Sequence, residues 1–188
     1  MPDHNTIAIL FAACLPLAAY AESYTIDSTH TYAHFSINRQ GFSTMHGRFD
    51  RSSGKLTLDR AARNGAVDIA IETASISTGF SSRDEHLRSS AFFNAEKFPV
   101  ITYKSSSVKF KDDEPVSVEG NLTMNGVTRP VTITVEAFKC GIHPWSRREA
   151  CGADASAQIK RSDFNIKYGL PGISDDIKLV FEVEANKD

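Results

Sequence analysis

Apolar and polar residues alternate in short runs along most of the chain after residue 23. In the run from Tyr24 to Asn38, for example, Ala33, Phe35 and Ile37 fall on one side, and polar residues fall between them. An alternation with a period of two predicts β-strands that bury one face. Further runs of this kind predict strands at residues 55–59, 67–72, 100–104, 107–111, 116–124, 128–138, 153–160, 164–168 and 177–184.

The dipeptide Asn125-Gly126 separates two of the predicted strands. Asn-Gly is the pair that most readily supplies the two positive φ angles of a type I′ turn, so it predicts a tight β-hairpin. In that register Leu122 and Met124 share one face of the incoming strand. Val131, Ile133 and Val135 share one face of the outgoing strand. The hairpin therefore indicates an antiparallel meander, whose register decides which side chains point inward.

One segment after residue 21 changes to helical periodicity. Residues 82–85 read Ser-Arg-Asp-Glu, the S-x-x-E form of a capping box, which predicts the start of a helix there. Leu87, Ala91 and Phe92 follow at helical spacing, and the segment is expected to stop before Pro99.

Short, regularly spaced strands with one intervening helix are typical of an all-β barrel or sandwich. No predicted strand is apolar throughout, as the strands of a buried parallel sheet are, so a closed antiparallel sheet is favoured. The chain carries 12 Phe, 5 Tyr and 1 Trp, enough aromatic side chains to line a narrow apolar tunnel or to pack a core. A barrel of about eight strands can be of either kind, and composition leaves the choice open.

The first 21 residues have the character of an export signal. Residues 7–19 form an apolar run that is too short to span a bilayer comfortably, and residues 19–21, Ala-Tyr-Ala, form a small-x-small cleavage site. The segment before the apolar run lacks Lys and Arg, which departs from the usual pattern. We therefore predict a cleavable signal peptide over residues 1–21 and one domain over residues 22–188. Acylation of Cys14, as in a lipoprotein, is the alternative.

Two cysteines, Cys140 and Cys151, remain if the chain is cleaved after Ala21. An even pair in an exported chain usually forms a disulfide, and the spacing is neither C-x-x-C nor typical of a zinc site. A Cys140–Cys151 bridge would tie two neighbouring strands at the base of a long hairpin loop that holds Trp145.

Charge and motifs argue against several classes of function. A formal net charge of −2 gives no support for nucleic-acid binding. The chain contains no nucleophile elbow, no phosphate-binding glycine loop and no H-E-x-x-H motif, so it is not expected to be an enzyme. His30 and His34 would lie about 13 Å apart along a strand, too far to ligate one ion together, and no metal site is predicted.

Several ordered segments resemble sequences of the YceI-like family. They are residues 24–30 (Y-x-I-D-x-x-H), 35–37, 83–93 (similar to R-D-x-H-L-R-S-x-D-F-L/F), 120–131 (G-x-L-T-x-x-G-V-T-x-P-V) and 161–166. With the last strand included, the likeness runs from residue 24 to residue 184. Two features depart from the family pattern: Ala91 stands where an acid is usual, and the insertion between Cys140 and Cys151 occurs only in a subset.

The resemblance implies an extended, lipocalin-like antiparallel β-barrel of about eight strands with one short helix and an apolar interior tunnel. It implies a periplasmic, non-enzymatic protein that holds a long-chain isoprenoid lipid, either a polyprenyl lipid or a ubiquinone-like molecule. The lipid would be held for transport, storage or sequestration under envelope stress. No covalent cofactor is expected, and the protein is expected to be a monomer or a homodimer.

The side chains expected to line the tunnel are apolar and mostly aromatic or branched. They are Phe35, Ile37, Phe42, Phe49, Ile69, Ile71, Leu87, Phe92, Phe93, Phe98, Leu122, Met124, Ile133, Phe164 and Phe181. Arg83 and His86 are the candidates for contact with a quinone ring or a phosphate headgroup. A solvated helix start held by local ion pairs is the alternative role for these two residues.

Two other functions stay open at this point. The histidines and the link to quinones would fit a redox- or haem-linked component of the envelope. A barrel filled by its own side chains would fit a protein-interaction module that uses the Trp145 loop as its contact. For a lipid carrier, Trp145 has two candidate roles, transient contact with a membrane and cover for the barrel mouth.

Overall fold

The computed structural model describes residues 21–188 of the chain. Cys14 and the predicted signal peptide, apart from Ala21, therefore lie outside the described residues. The described part contains eleven β-strands, one α-helix, α1 (Ser81–Arg88), and two 3-10 helices at Thr73–Ser75 and Arg161–Phe164. The strands are β1 (Glu22–Ile26), β2 (Tyr32–Arg39), β3 (Ser43–Phe49), β4 (Ser52–Asp59), β5 (Asn64–Glu72), β6 (Ile76–Ser77), β7 (Val100–Lys111), β8 (Glu114–Met124), β9 (Val127–Ile142), β10 (Glu149–Lys160) and β11 (Ile173–Lys187).

The strands close into an antiparallel barrel with eight strand positions. Three of these positions are each filled by two consecutive strands that run in the same direction with a short break between them. The pairs are β1 with β2, β3 with β4, and β5 with β6. The strands β7 to β11 fill the other five, and every position pairs with its neighbours in sequence. β11 closes the ring, because it pairs with β10 on one edge and with β1 and β2 on the other. The predicted all-β antiparallel barrel with one short helix is confirmed.

The barrel has two unlike ends. The helix end carries the β2–β3 turn, α1, the Asn125-Gly126 turn and the loop from residue 165 to residue 172. The disulfide end carries the start of β1, the end of β11 and the long β9–β10 hairpin. There Cys140 and Cys151 are directly opposite residues of β9 and β10 and form a disulfide. This confirms the predicted bridge.

The first strand position bends between β1 and β2, where the sequence predicted one continuous strand. Asp27 accepts hydrogen bonds from the backbone N–H of Thr29 (2.9 Å) and from its hydroxyl (2.6 Å), which turns the chain locally. The Thr31 hydroxyl then bonds both the carbonyl and the N–H of Glu184 in β11, each at 3.1 Å. These contacts fix β1 and β2 against one strand, so the bend does not open the barrel.

The Asn125-Gly126 turn is the tight hairpin that the sequence predicted. Asn125 has φ +49° and Gly126 has φ +75°, and Met124 is paired directly with Val127. The side-chain amide of Asn125 also donates to the carbonyl of Phe164 at 3.1 Å. The turn thereby fixes the β8–β9 register and ties it to the segment that follows β10.

The helix α1 differs from the prediction at both of its ends. It starts at Ser81 after Phe80, which makes no side-chain cap, so the expected capping box between Ser82 and Glu85 is wrong. It ends at Arg88 because Ser89 is extended, and Ala91 and Phe92 lie in turns instead of on the helix. No helix among residues 21–188 is both long and apolar enough to cross a membrane.

The apolar side chains form two clusters inside the barrel. The larger cluster fills the middle and the helix end and includes Phe35, Tyr103 and Phe164. The smaller cluster lies at the disulfide end around Tyr24 and Leu58, which are 1% and 6% exposed. The smaller cluster therefore packs the disulfide end from within.

Replacement of Gly126 by alanine tests how far the hairpin controls the fold. Gly126→Ala places a side chain at a positive φ angle, with the added Cβ only 2.6 Å from the ring of Phe98. We expect the free energy of unfolding to fall by about 1–3 kcal/mol in urea denaturation. The matched control is Gly141→Ala in β9, whose added Cβ meets no atom within 4 Å. A loss in the control as large as in Gly126→Ala would contradict this account.

Candidate functional site

The barrel encloses an apolar cavity of about 210 Å³, which we call the barrel chamber. Its walls are the inward-facing residues of the strands, because alternate side chains of a strand point to the same face. Ile69 and Ile71 contribute from β5, Leu122 from β8, Ile133 from β9 and Phe181 from β11. The chamber thus follows directly from the alternating pattern of the sequence.

Tyr103 brings a hydroxyl to the barrel chamber, but this hydroxyl is engaged by the backbone. It lies 3.0 Å from the carbonyl oxygen of Val118 and 3.0 Å from that of Val131. The ring packs closely on Gly120, where an added Cβ would be 2.7 Å from the ring carbon Cζ. Burial raises the pKa of Tyr103 to about 12, so the phenol is neutral at physiological pH. Tyr103 therefore adds no charge to a mostly apolar wall.

A second cavity of about 380 Å³ lies at the helix end, and we call it the entrance chamber. It is bordered by Leu87 of α1 and by the aromatic residues of the following turns. A common set of side chains borders both chambers, which therefore adjoin at a neck. The neck residues are Phe35, Phe49, Met124, Ile159 and Leu179.

Arg161 carries a buried positive charge beside the entrance chamber. It is 4% exposed, and its guanidinium donates to the carbonyls of Ser174 (2.8 Å), Tyr168 (2.8 Å), Ile173 (3.0 Å) and Ile166 (3.2 Å). Desolvation lowers the pKa of the guanidinium from its ordinary value. The group nevertheless stays charged because that ordinary value is so high.

The carbonyl contacts of Arg161 also explain a wrong strand prediction. The sequence alternates through Phe164–Tyr168, but this segment forms the end of a 3-10 helix and a loop, with Asn165 at φ +62°. The loop wraps the guanidinium and directs backbone carbonyls at it. The buried guanidinium needs hydrogen-bond acceptors, so the loop that supplies them forms in place of the strand that the alternation predicted.

Arg83, the first predicted headgroup residue, borders the entrance chamber but is partly engaged. Its Nε donates to the hydroxyl of Thr78 at 2.7 Å, and its Nη2 donates to the Thr78 carbonyl at 2.9 Å. The buried carboxylate of Asp84 accepts from the N–H (2.9 Å) and hydroxyl (2.5 Å) of the same threonine. Arg83 and Asp84 thus secure the start of α1, and Arg83 has further N–H groups to offer.

His86, the second predicted headgroup residue, also borders the entrance chamber. Its ring packs edge-on against Phe92 and Tyr168, with ring centroids 5.0 Å and 5.1 Å away. Arg39, from the end of β2, borders the same space. Among the described residues that line the entrance chamber, three arginines and one histidine are present and no carboxylate is. The chamber is therefore positively charged.

The structure brings most of the predicted tunnel residues together on the walls of the two chambers. These are Phe35, Ile37, Phe49, Ile69, Ile71, Leu87, Phe92, Phe93, Leu122, Met124, Ile133 and Phe181. Their contact with a ligand stays a prediction, which the next subsection develops.

Three predicted tunnel residues lie elsewhere. Phe42 sits in the β2–β3 turn and is 90% exposed, because the strand ends before it. Phe98 packs its ring on Gly126 of the hairpin turn, outside both chambers. Phe164 is 1% exposed within the packed core and borders neither chamber.

Some wall residues were missed in the sequence. Val118 and Leu179 alternate in the same strands as predicted residues, so the pattern could have indicated them. Arg39 and Arg161 gave no local signal, because their positions depend on the loops of the helix end.

The Trp145 hairpin lies at the disulfide end, far from the entrance chamber. Trp145 is 89% exposed and Ile142 is 65% exposed. Trp145 borders neither chamber, so it does not cover the chamber opening at the helix end. The two roles expected for this tryptophan, contact with a membrane and cover for the barrel mouth, stay predictions.

Asp27, His30 and Glu184 meet near the disulfide end, with their potential ligand atoms within 4.8 Å of one another. The Nδ1 atom of His30 is 3.1 Å from a carboxylate oxygen of Asp27. This contact raises the pKa of His30, and the hydrogen bonds from Thr29 and His30 lower the pKa of Asp27 to about 2. Asp27 and His30 thus form a hydrogen-bonded pair beside the bend between β1 and β2, which we call the Asp27–His30 latch.

Known proteins share both sequence and fold with this chain. A family model described as the YceI-like domain matches residues 24–185. Protein YceI of Salmonella agona (strain SL483) is 38% identical over 186 residues, covering 96% of this chain and 96% of that protein.

Two solved structures have a similar barrel. The YCEI protein of Campylobacter jejuni is 31% identical with a TM-score of 0.66, covering 78% of this chain and 87% of that one. A polyisoprenoid binding domain from Saccharophagus degradans, implicated in plant cell wall breakdown, is 18% identical with a TM-score of 0.66. That likeness covers 89% of this chain and 99% of the domain, and at this identity it shows the fold.

The Asp27–His30 latch leads to an expected pH dependence. Because the folded pKa of His30 is raised, its contribution to stability is present below about pH 6.5 and is lost as the pH rises through the folded pKa. Because the pKa of Asp27 is lowered to about 2, its contribution is present above about pH 4 and is lost as the pH falls toward 2.

NMR titration of the histidine ring signals measures this coupling directly. We expect His30 to titrate above its ordinary pKa of about 6.5, and Asp27→Asn to lower its pKa toward that value. Asp176→Asn, in β11 near the helix end, is the control and should leave His30 unchanged. An unchanged pKa of His30 in Asp27→Asn would show that the carboxylate is not its partner in solution.

Proposed function

The chain belongs to the YceI-like family, and on this premise we propose that it is a non-enzymatic carrier whose barrel holds a long-chain isoprenoid lipid. The observation that carries the proposal is the pair of adjoining chambers inside a closed barrel. The similar domain from Saccharophagus degradans is a polyisoprenoid binding domain, which supports the same ligand class. An interior with open space also argues against a filled-barrel interaction module.

Apolar burial can supply the affinity without specific contacts to the tail. Each CH₂ group removed from water contributes about 0.8 kcal/mol, and an isoprene unit has five carbons. A few units therefore outweigh the cost of ordering a flexible chain, which is about 0.5–1.5 kcal/mol per immobilised group. The barrel chamber presents mostly aliphatic and aromatic side chains, so it suits a tail of this kind.

The two ends of the barrel suggest how the lipid is oriented. The tail would enter the barrel chamber and point toward the disulfide end, which the Tyr24–Leu58 cluster packs from within. The polar end would stay in the entrance chamber near Arg39, Arg83 and His86. Guanidinium and imidazole N–H groups can donate to the oxygens of a quinone ring or of a phosphate group.

Cleavage of the signal peptide at residues 1–21 would place the mature domain, residues 22–188, in the periplasm. The Cys140–Cys151 disulfide fits an oxidising compartment of this kind. There the protein would transport, store or sequester a lipid that is insoluble in water.

Native mass spectrometry of the exported protein purified from a bacterial host tests the proposal. We expect a complex with a long-chain lipid that organic solvent extracts, and uptake of added isoprenoid quinone by the stripped protein. The bare polypeptide alone, with no uptake of quinone, would refute the carrier function. A haem absorbance band in stoichiometric amount would favour the redox-linked alternative.

Ala155→Phe tests the location of the tail. Ala155 is buried and borders the barrel chamber, so a phenyl ring there would fill space that the tail needs. We expect the amount of co-purified lipid to fall at least about tenfold, which corresponds to about 1.4 kcal/mol of lost binding energy. The matched control is Ala137→Phe in β9, whose side chain is exposed and borders neither chamber. Equal lipid content in both folded variants would place the tail elsewhere.

A further inference from the structure

Exposed aromatic side chains cluster around the opening of the entrance chamber. Phe42, Phe80 and Tyr168 are 90%, 60% and 54% exposed, and they come from three separate loops at the helix end. Phe80 and Tyr168 border the entrance chamber themselves. Large exposed aromatic residues that surround one opening are typical of a contact surface.

Backbone contacts hold these loops next to one another. The N–H of Gln40, two residues before Phe42, donates to the carbonyl of Gly172 at 2.9 Å. The loop from residue 165 to residue 172 also carries Tyr168, whose ring contacts His86 of α1. The loops that carry Phe42, Phe80 and Tyr168 therefore lie next to one another, and we call these three exposed side chains the aromatic rim.

The charge behind the aromatic rim indicates what would meet it. Arg39, Arg83 and Arg161 border the entrance chamber together with His86, and no Asp or Glu does so among the described residues. A negatively charged surface would complement this opening. Phe and Tyr at the rim would suit the boundary between polar headgroups and acyl chains.

The proposed cargo points to the same partner. A lipid tail that left the barrel into water would lose about 0.8 kcal/mol for each exposed CH₂ group. Transfer is far less costly when the opening rests on an apolar phase that the tail can enter directly.

We propose that the aromatic rim docks on the surface of a bilayer that contains anionic phospholipids, and that lipid passes between bilayer and barrel through the helix end. This inference rests on the proposed carrier function. It commits to the helix end and not to the disulfide end, although Trp145 is also exposed there. The reason is the charge at each end: arginines border the entrance chamber at the helix end, whereas Asp154, Glu182 and Glu184 border a cavity of about 570 Å³ at the disulfide end.

Vesicle flotation with the purified protein tests the docking surface. Vesicles of phosphatidylglycerol and phosphatidylcholine in equal parts are compared with vesicles of phosphatidylcholine alone. We expect binding to the mixed vesicles, weaker binding to the neutral ones, and a decrease at higher salt.

Two single variants separate the ends of the barrel. Phe42→Ser should weaken binding to the mixed vesicles at least about fivefold, because an exposed ring can no longer insert. Trp145→Ser removes an equally exposed aromatic ring from the disulfide end and should bind as the unaltered protein does. Because both side chains are exposed, neither variant is expected to disturb folding, and thermal unfolding checks this.

The outcomes divide clearly. Absence of vesicle binding by the unaltered protein, equal binding by Phe42→Ser, or loss of binding in Trp145→Ser would each overturn the proposal. If the rim contacts a protein instead of a bilayer, the unaltered protein will not bind the vesicles.

Lipid content, measured by mass spectrometry in the same preparations, separates this proposal from the carrier function. Phe42 borders neither chamber, so Phe42→Ser should keep its lipid. Vesicle binding that depends on Phe42 but comes without any bound lipid would contradict the carrier and leave docking intact. Bound lipid without vesicle binding would contradict docking alone.

Discussion

Closure of the sheet through β11 is the constraint on which the rest of the structure depends. β11 pairs with β10 on one edge, and with both β1 and β2 on the other. In a closed antiparallel sheet every backbone group of the inner strands finds a partner, and no edge is left to be protected. Closure also gives each strand a fixed inner face, so the alternation of the sequence becomes a wall around an interior. A shift of one residue in β11 would exchange its inner and outer faces.

Local contacts keep that register despite the breaks in the strands. The Asp27–His30 contact stabilises the bend between β1 and β2, and the Thr31 hydroxyl and the Asp27 backbone N–H bind this bend to Glu184 of β11. At the other end, Asn125-Gly126 sets the β8–β9 register. Tyr103 packs closely on Gly120, and this places its hydroxyl within hydrogen-bond distance of backbone carbonyls of β8 and β9. Each contact acts locally, and together they keep the interior apolar.

The two ends of the barrel have become chemically different through the segments attached to them. A disulfide and a small apolar cluster lie at one end, where β10 pairs with both β9 and β11. At the other end, α1 and the loop around Arg161 leave an entrance chamber with three arginines. The Arg161 guanidinium donates its hydrogen bonds to four backbone carbonyls, and the carboxylate of Asp175 interacts with its charge from nearby without a direct hydrogen bond. This asymmetry gives the barrel a direction, with an apolar interior and a positive opening.

Much of this protein could be predicted from its sequence alone, because the relevant signals are local. The alternation of apolar residues indicated the strands and most of the chamber walls, since the period of a strand is fixed by the backbone. The positive φ angles at Asn125 and Gly126, and the pairing of Cys140 with Cys151, were also accessible. The resemblance to the YceI-like family added the closed barrel, and it suggested the ligand class that we propose.

The helix end was decided only by the tertiary structure. The expected capping box failed because the helix starts earlier, directly after Phe80. The strand at 164–168 failed because the buried guanidinium of Arg161, three residues before it, donates hydrogen bonds to this segment's carbonyls. Phe42, Phe98 and Phe164 looked alike as aromatic residues, yet one is exposed, one packs on a turn and one is buried in the core. Such outcomes depend on which side chains are buried where the segments of the helix end pack together, and the alternation of apolar and polar residues does not encode those contacts.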